Sequence, residues 1–92
     1  MIVRIMGEGQ WELDEGHLEK LNALDSVVER AVEAGDDLAF SDGFTQMLDA
    51  VRSHGRRVPD DALLDSDLIL PPADATLEEV RALLTDEGLV PD

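Results

Sequence analysis

Cysteine and tyrosine are missing from this 92-residue chain, and its only aromatic residues are Trp11, Phe40 and Phe44. Without cysteine there is no disulfide and no thiolate site for a metal or for redox chemistry. With so few rings, the core has to be built from Leu, Val, Ile and Ala. Basic residues are scarce as well: seven Lys and Arg stand against 22 Asp and Glu, a net charge of −15. Basic charge supplies most non-specific affinity for nucleic acid, so that class of binding is excluded. Direct docking on an anionic membrane is disfavoured for the same reason. No long hydrophobic run is present. Leu68–Leu70 is far too short to span a bilayer, and there is no secretory apolar region. The expected location is cytoplasmic, without direct membrane insertion. Two phosphate and nucleophile signatures are missing too. No Gly-x-Ser-x-Gly elbow occurs. Gly7-Glu8-Gly9 lacks the third glycine of a dinucleotide loop and precedes a strand, not a helix.

The apolar residues, 43% of the chain, are enough for folding. They recur with regular periods, which reads as a single domain over residues 1–92. Met1–Met6 is β-branched, and Gln10–Asp14 alternates, so the two predict a β-hairpin around Gly7-Glu8-Gly9. A loop of those three residues pairs Ile5 with Trp11, Arg4 with Glu12 and Val3 with Leu13. This register gathers Val3, Ile5, Trp11 and Leu13 on one face. A helix is predicted from Glu15 to Ala34, with Asp14 as its N-cap and Gly35 as its stop. Leu18, Leu21, Leu24, Val28, Ala31 and Val32 form its stripe. Asp36 can cap a second helix to Ser53, lined by Phe40, Phe44, Met47, Leu48 and Val51. Ser41-Asp42-Gly43 is poor helix material, yet the stripe stays in phase on both sides of it. That favours one continuous helix, with a break there as the alternative. Arg56–Asp67 reads as a connector. Leu68-Ile69-Leu70 predicts a third strand, apolar throughout and so buried on both faces, and Pro71-Pro72 stops it. Thr76-Leu-Glu-Glu79 is a capping box for a short helix over Leu77, Val80, Leu83 and Leu84, ending at Gly88. The fold class is α+β: a three-stranded sheet with an αα-hairpin and a short C-terminal helix on one face.

No residue set points to catalysis. Adjacent acids such as Asp36–Asp37, Asp60–Asp61 and Glu78–Glu79 suit helix first turns and loops better than general acid–base work, which needs two carboxyls converging in a cleft. His17 and His54 fall at neighbouring ends of the antiparallel helix pair and could meet there. With Asp14 or Glu15 they make a thinkable divalent-metal site, although closed sites usually show four well-spaced ligands. Arg52, Arg56 and Arg57 are a local reversal of charge. They read either as a dock for an acidic partner or as helix-end charges paired with Asp60 and Asp61. Trp11 belongs to the apolar hairpin face and is expected in the core.

Three segments carry a resemblance: Met1-Ile-Val-Arg-Ile-Met-Gly-Glu-Gly-Gln10, Leu21-Asn-Ala-Leu-Asp25, and Asp67-Leu-Ile-Leu-Pro-Pro-Ala-Asp-Ala-Thr-Leu-Glu-Glu-Val-Arg81 with Asp86-Glu-Gly-Leu89. Together they resemble the PspA-associated family, PspAA. The resemblance is colinear over the chain, specific at both ends and loose in the second helix. It implies a small non-enzymatic adaptor or regulator of PspA, the coiled-coil phage-shock protein of envelope stress. Its location would then be peripheral to the membrane through that partner. It implies no catalytic residues, cofactor or metal. The expected contact is an acidic helix face comprising Glu15, Glu19, Glu29, Glu33, Asp36 and Asp37. The alternative function is a small metal-dependent enzyme or metal-responsive regulator using His17 and His54. A third reading is weak self-association through the sheet edge.

Overall fold

The computed structural model describes residues 1–59, 61–62 and 64–83. Strands β1 (Ile2–Ile5) and β2 (Gly9–Glu12) form the expected hairpin. Helices α1 (Leu18–Ala34) and α2 (Asp37–His54) follow as an αα-hairpin. Strands β3 (Arg56–Arg57) and β4 (Leu68–Leu70) and helix α3 (Leu77–Leu83) complete the described chain. The sheet order is β3-β2-β1-β4, with β4 parallel to β1 and the other pairs antiparallel. The fold is α+β. The core lies between the sheet and the helix pair, where Val3, Ile5, Leu13, Leu21, Val28, Met47, Val51, Leu70 and Val80 lose nearly all their solvent exposure.

The hairpin keeps its predicted faces but not its predicted register. Val3 lies opposite Trp11, Arg4 opposite Gln10 and Ile5 opposite Gly9. The loop does have three residues, but they are Met6–Glu8, and the Glu8 N–H donates to the Ile5 carbonyl at 3.0 Å. Gly7, with φ +84, takes the turn conformation that a side chain resists. Gly9 sits against the Arg57 guanidinium, where a Cβ would come within 2.6 Å. The pairing thus slips by two positions. An even slip leaves the alternation intact, so Val3, Ile5, Trp11 and Leu13 remain inside. It does separate Arg4 from Glu12, which faces Ile2 instead.

Three other expectations change, and the continuity of the second helix is borne out. Asp14 makes no side-chain cap; a single 3₁₀ turn at Glu15–His17 intervenes, so α1 starts at Leu18. The second helix is unbroken through Ser41–Gly43. Gly43 is buried there because α1 passes close by, and a Cβ would meet Val27 Cγ1 at 3.0 Å. The sheet has a fourth strand, β3, in what the sequence offers only as connector. Finally, β4 is buried on one face alone: Leu68 and Leu70 point inward while Ile69 is 57% exposed. A second helical layer is not what covers the outer face. The connector crosses it instead, and buried Gln10 donates through Nε2 to the Leu64 carbonyl (2.9 Å) and to Ser66 Oγ (2.8 Å).

The helix ends follow local chemistry. Gly35 closes α1 in the left-handed region with φ +68, and Asp36 Oδ1 accepts from the Ala39 N–H at 3.1 Å to open α2. The Thr76 capping box is present in both directions: Glu79 N–H to Thr76 Oγ1 (3.2 Å) and Thr76 N–H to Glu79 Oε1 (3.1 Å). Within α3, Leu77 and Val80 reach the core while Leu83 is exposed. Leu84 and Gly88 lie outside the described residues. Arg81 donates to the Val32 carbonyl at 2.8 Å, placing a cation on the last turn of α1, where the helix dipole favours it.

Candidate partner-binding surface

The acids of the expected contact face do not share one environment. Glu19 and Glu33 stand exposed on α1, roughly 21 Å apart along the axis at ~1.5 Å of rise per residue. Glu15 is exposed in the 3₁₀ turn before α1, and Asp37 is exposed in the first turn of α2. Asp36 is exposed too, but one carboxylate oxygen is committed to its cap. Glu29 departs from the expectation. It is half-buried and takes part in an interaction of its own. It lies i−4 from Glu33, turned further toward the packed side of the helix. The outward acidic face is therefore Glu15, Glu19, Glu33, Asp36 and Asp37, with Glu29 at its margin.

The arginine cluster has the opposite character. Arg52 grips Glu8 with two parallel donors, Nε to Oε1 at 2.9 Å and Nη2 to Oε2, and reaches Asp49 Oδ1 at 2.9 Å with Nη1. A bidentate guanidinium–carboxylate pair is among the stronger polar contacts available to a protein. It holds the Glu8 carboxyl below its ordinary 4.5, chiefly through the hydrogen bonds from Arg52, and raises Arg52 in turn. Arg56 pairs with Glu12. Arg57 donates to the Glu8 carbonyl at 2.8 Å, and its guanidinium lies 5.1 Å from the centre of the Trp11 ring. The carboxylates that Arg52 and Arg56 use come from the hairpin and from α2, not from the Asp60–Asp61 connector as expected. These cations stitch α2 and β3 to the hairpin. Trp11 is buried beneath Arg57, as a core residue should be.

His17 and His54 do meet. Their rings stack with centroids 4.6 Å apart and planes 20° from parallel. Parallel rings direct their nitrogens along parallel planes and not at one shared point. Among the described residues, no group of three or more His, Asp or Glu side chains is arranged to hold a metal ion. Asp14 and Glu15 do not complete such a set with the histidine pair.

Two structural residues escaped the sequence reading. Glu8 carries no signal in a Gly-Glu-Gly loop, since its partner is 44 residues away. Asp25 is only 3% exposed. It could have been found, because it stands at i+4 from Leu21 and i−3 from Val28, inside the buried stripe. No helix among the described residues is long and apolar enough to cross a membrane.

Comparison with protein families gives a match over residues 1–92, the whole chain, to PspAA, the PspA-associated protein family. The chain belongs to the PspAA family. Neither the curated proteins nor the solved structures contain a significant match. The PspAA family is thus described by association with another protein, which directs attention to the surfaces this fold leaves open.

Proposed function

We propose that this PspAA protein is a non-enzymatic adaptor that docks on a PspA-type coiled coil and takes part in the envelope-stress response. The observation that carries this reading is the whole-chain match to a family described by its association with PspA. Charge supports it. A domain of net charge −15 steers toward a basic helical surface and away from anionic lipid and nucleic acid. The contact runs along Glu15, Glu19, Glu33, Asp36 and Asp37, with Glu29 at the margin. The protein works in the cytoplasm and reaches the membrane only through its partner. Titration of the host's PspA protein with this chain, at low and at physiological ionic strength, tests the reading. Saturable binding that tightens as salt falls is the expected result. Absence of binding at low salt overturns it.

The second reading, a metal-responsive regulator in which His17 and His54 supply two ligands, has only the closeness of the two rings in its favour, since their stacking does not aim the nitrogens at one point. Calorimetric titration with Zn²⁺ or Ni²⁺ separates the two. Stoichiometric binding that is abolished by His54→Ala supports metal. A flat titration removes it and leaves the adaptor reading untouched.

A further inference from the structure

Six large apolar side chains stand open to solvent among the described residues. Val27, Leu38 and Leu83 are scattered, one on each helix. The other three, Met6 (48% exposed), Leu64 (46%) and Ile69 (57%), gather on the side of the sheet turned away from the helices. Strand pairing and hydrogen bonds bring them together. Ile69 pairs with Arg4 and Arg4 with Gln10, so one row runs across β4, β1 and β2. Arg4 lies between inward Val3 and Ile5, and Ile69 between inward Leu68 and Leu70, so the row faces outward. Gln10 holds Leu64 over the row through the Leu64 carbonyl. Met6 follows two residues after Arg4 and donates its N–H to the Leu70 carbonyl at 3.1 Å. Single exposed apolar residues need no explanation, but three bordering one row do.

Arg4 sits at the centre of this patch with little to hold it. Its Nε reaches Ser66 Oγ at 3.4 Å, and no carboxylate of the described residues lies within ion-pair distance of it. Asp65 and Asp67 flank Ser66. Asp67 Oδ2 accepts from the Ile2 N–H at 2.8 Å, whereas Asp65 stands exposed.

We infer that this face packs against the same face of a second copy of the chain. Two-fold symmetry makes such a contact self-complementary. Met6, Leu64 and Ile69 meet apolar counterparts, while Arg4 of each copy meets Asp65 of the other. The distribution of charge favours this occupant. Two chains of net charge −15 repel, so a dimer has to keep their unpaired acids apart. Exposed Glu15, Glu19, Glu33 and Asp37 are on the helix side. Sheets packed face to face are ~10 Å apart, and the helix layers lie behind them, beyond the ~8 Å over which charge acts at physiological salt. A basic partner is drawn instead to those acids, and would find Arg4 opposing it on the sheet. The connector narrows the contact, so the dimer is a weak one. This interface does not rest on the adaptor reading, and it leaves the acidic helix side open.

Sedimentation of the full chain over a concentration series reads the dimerisation constant. A reversible dimer is expected, and Ile69→Lys should weaken it by about tenfold or more, as loss of a central anchor does. Asp65→Arg is the sharper variant. It reduces the net negative charge, which by itself would tighten any dimer of this chain. At this interface, however, it sets cation against cation, and dimerisation should weaken severalfold. Arg4→Glu should weaken it as well. Arg4→Glu combined with Asp65→Arg should restore the constant to within about twofold of the native value, and this swap keeps the test decisive if Arg4→Glu alone fails to fold. Glu19→Lys with Glu33→Lys, on the helix side, should leave dimerisation unchanged or tighter. A chain that stays monomeric to about 1 mM overturns the proposal. So does a dimer that Asp65→Arg leaves unchanged or tightens, or one that the charge swap fails to restore. A dimer weakened by Ile69→Lys alone also overturns it, in favour of pairing through the β4 edge.

Discussion

The hairpin side of this molecule and its outer helix side both carry many charged and polar groups, but use them differently. On the hairpin side they are paired. Glu8 holds Arg52, Glu12 holds Arg56, and Gln10 ties down the connector. Ile2 and Asp67 exchange two hydrogen bonds of 2.8 Å where the connector meets β4. On the helix side, Glu15, Glu19, Glu33 and Asp37 are exposed. Pairing a charge makes it part of the fold. An exposed charge within an excess of like charge costs some stability through mutual repulsion. Under the proposed function, the paired side serves the fold and the exposed side is the one that meets the partner.

Breaking the hairpin side should cost the most. Gln10→Ala loses two hydrogen bonds, to the Leu64 carbonyl and to Ser66 Oγ, and is expected to destabilise by about 2 kcal/mol in urea unfolding, at about 1 kcal/mol for each bond. Thr76→Ala removes one half of the capping box and should cost about 1 kcal/mol by the same measurement. Glu8→Gln loses an ion pair that is about one-third exposed, so solvent screening limits the effect to about 1 kcal/mol or less. Its effect should be largest near neutral pH and fade in acid. The Glu8 carboxyl is depressed in the folded state, so its contribution is fully present above its ordinary 4.5 and is lost as pH falls below that and through the folded value. The unfolding midpoint of Glu8→Gln should therefore converge on that of the native chain as the pH is lowered below 4.5.

Changing the helix side should barely disturb the fold. Glu19→Lys with Glu33→Lys is expected to shift stability by about 0.5 kcal/mol or less, and in the stabilising direction, because both residues are exposed within an excess of negative charge. The melting temperature of the native chain should rise from low to physiological salt, as screening over ~8 Å relieves that repulsion. A flat or falling melting temperature would show that local pairing outweighs net repulsion.

The parts of the fold that local chemistry determines were legible in the sequence. Thr76 and Glu79 are three residues apart and could be read as a cap without knowing anything distant. Gly35 and Asp36 marked the turn between helices in the same way. The hairpin faces were legible because alternation fixes parity. The register was not, because a slip of two preserves parity and the choice depends on Arg57 packing against Gly9 from another strand. Two exposed arginines carry no apolar alternation, so β3 had no signal. The burial of Ile69 was misjudged because an apolar triplet looks the same whether one face is covered or two. At the candidate surface, the acidic face could be drawn from helical phase, and only Glu29 fell short of the exposure expected of it.

The division between a folding side and a binding side is tested most directly by hydrogen exchange on the chain alone and in the presence of the host's PspA protein. Added protection is expected in α1 and the start of α2, with β1, β2 and β4 unchanged. Protection confined to the strands or the connector, with the helix pair unaffected, would contradict the division.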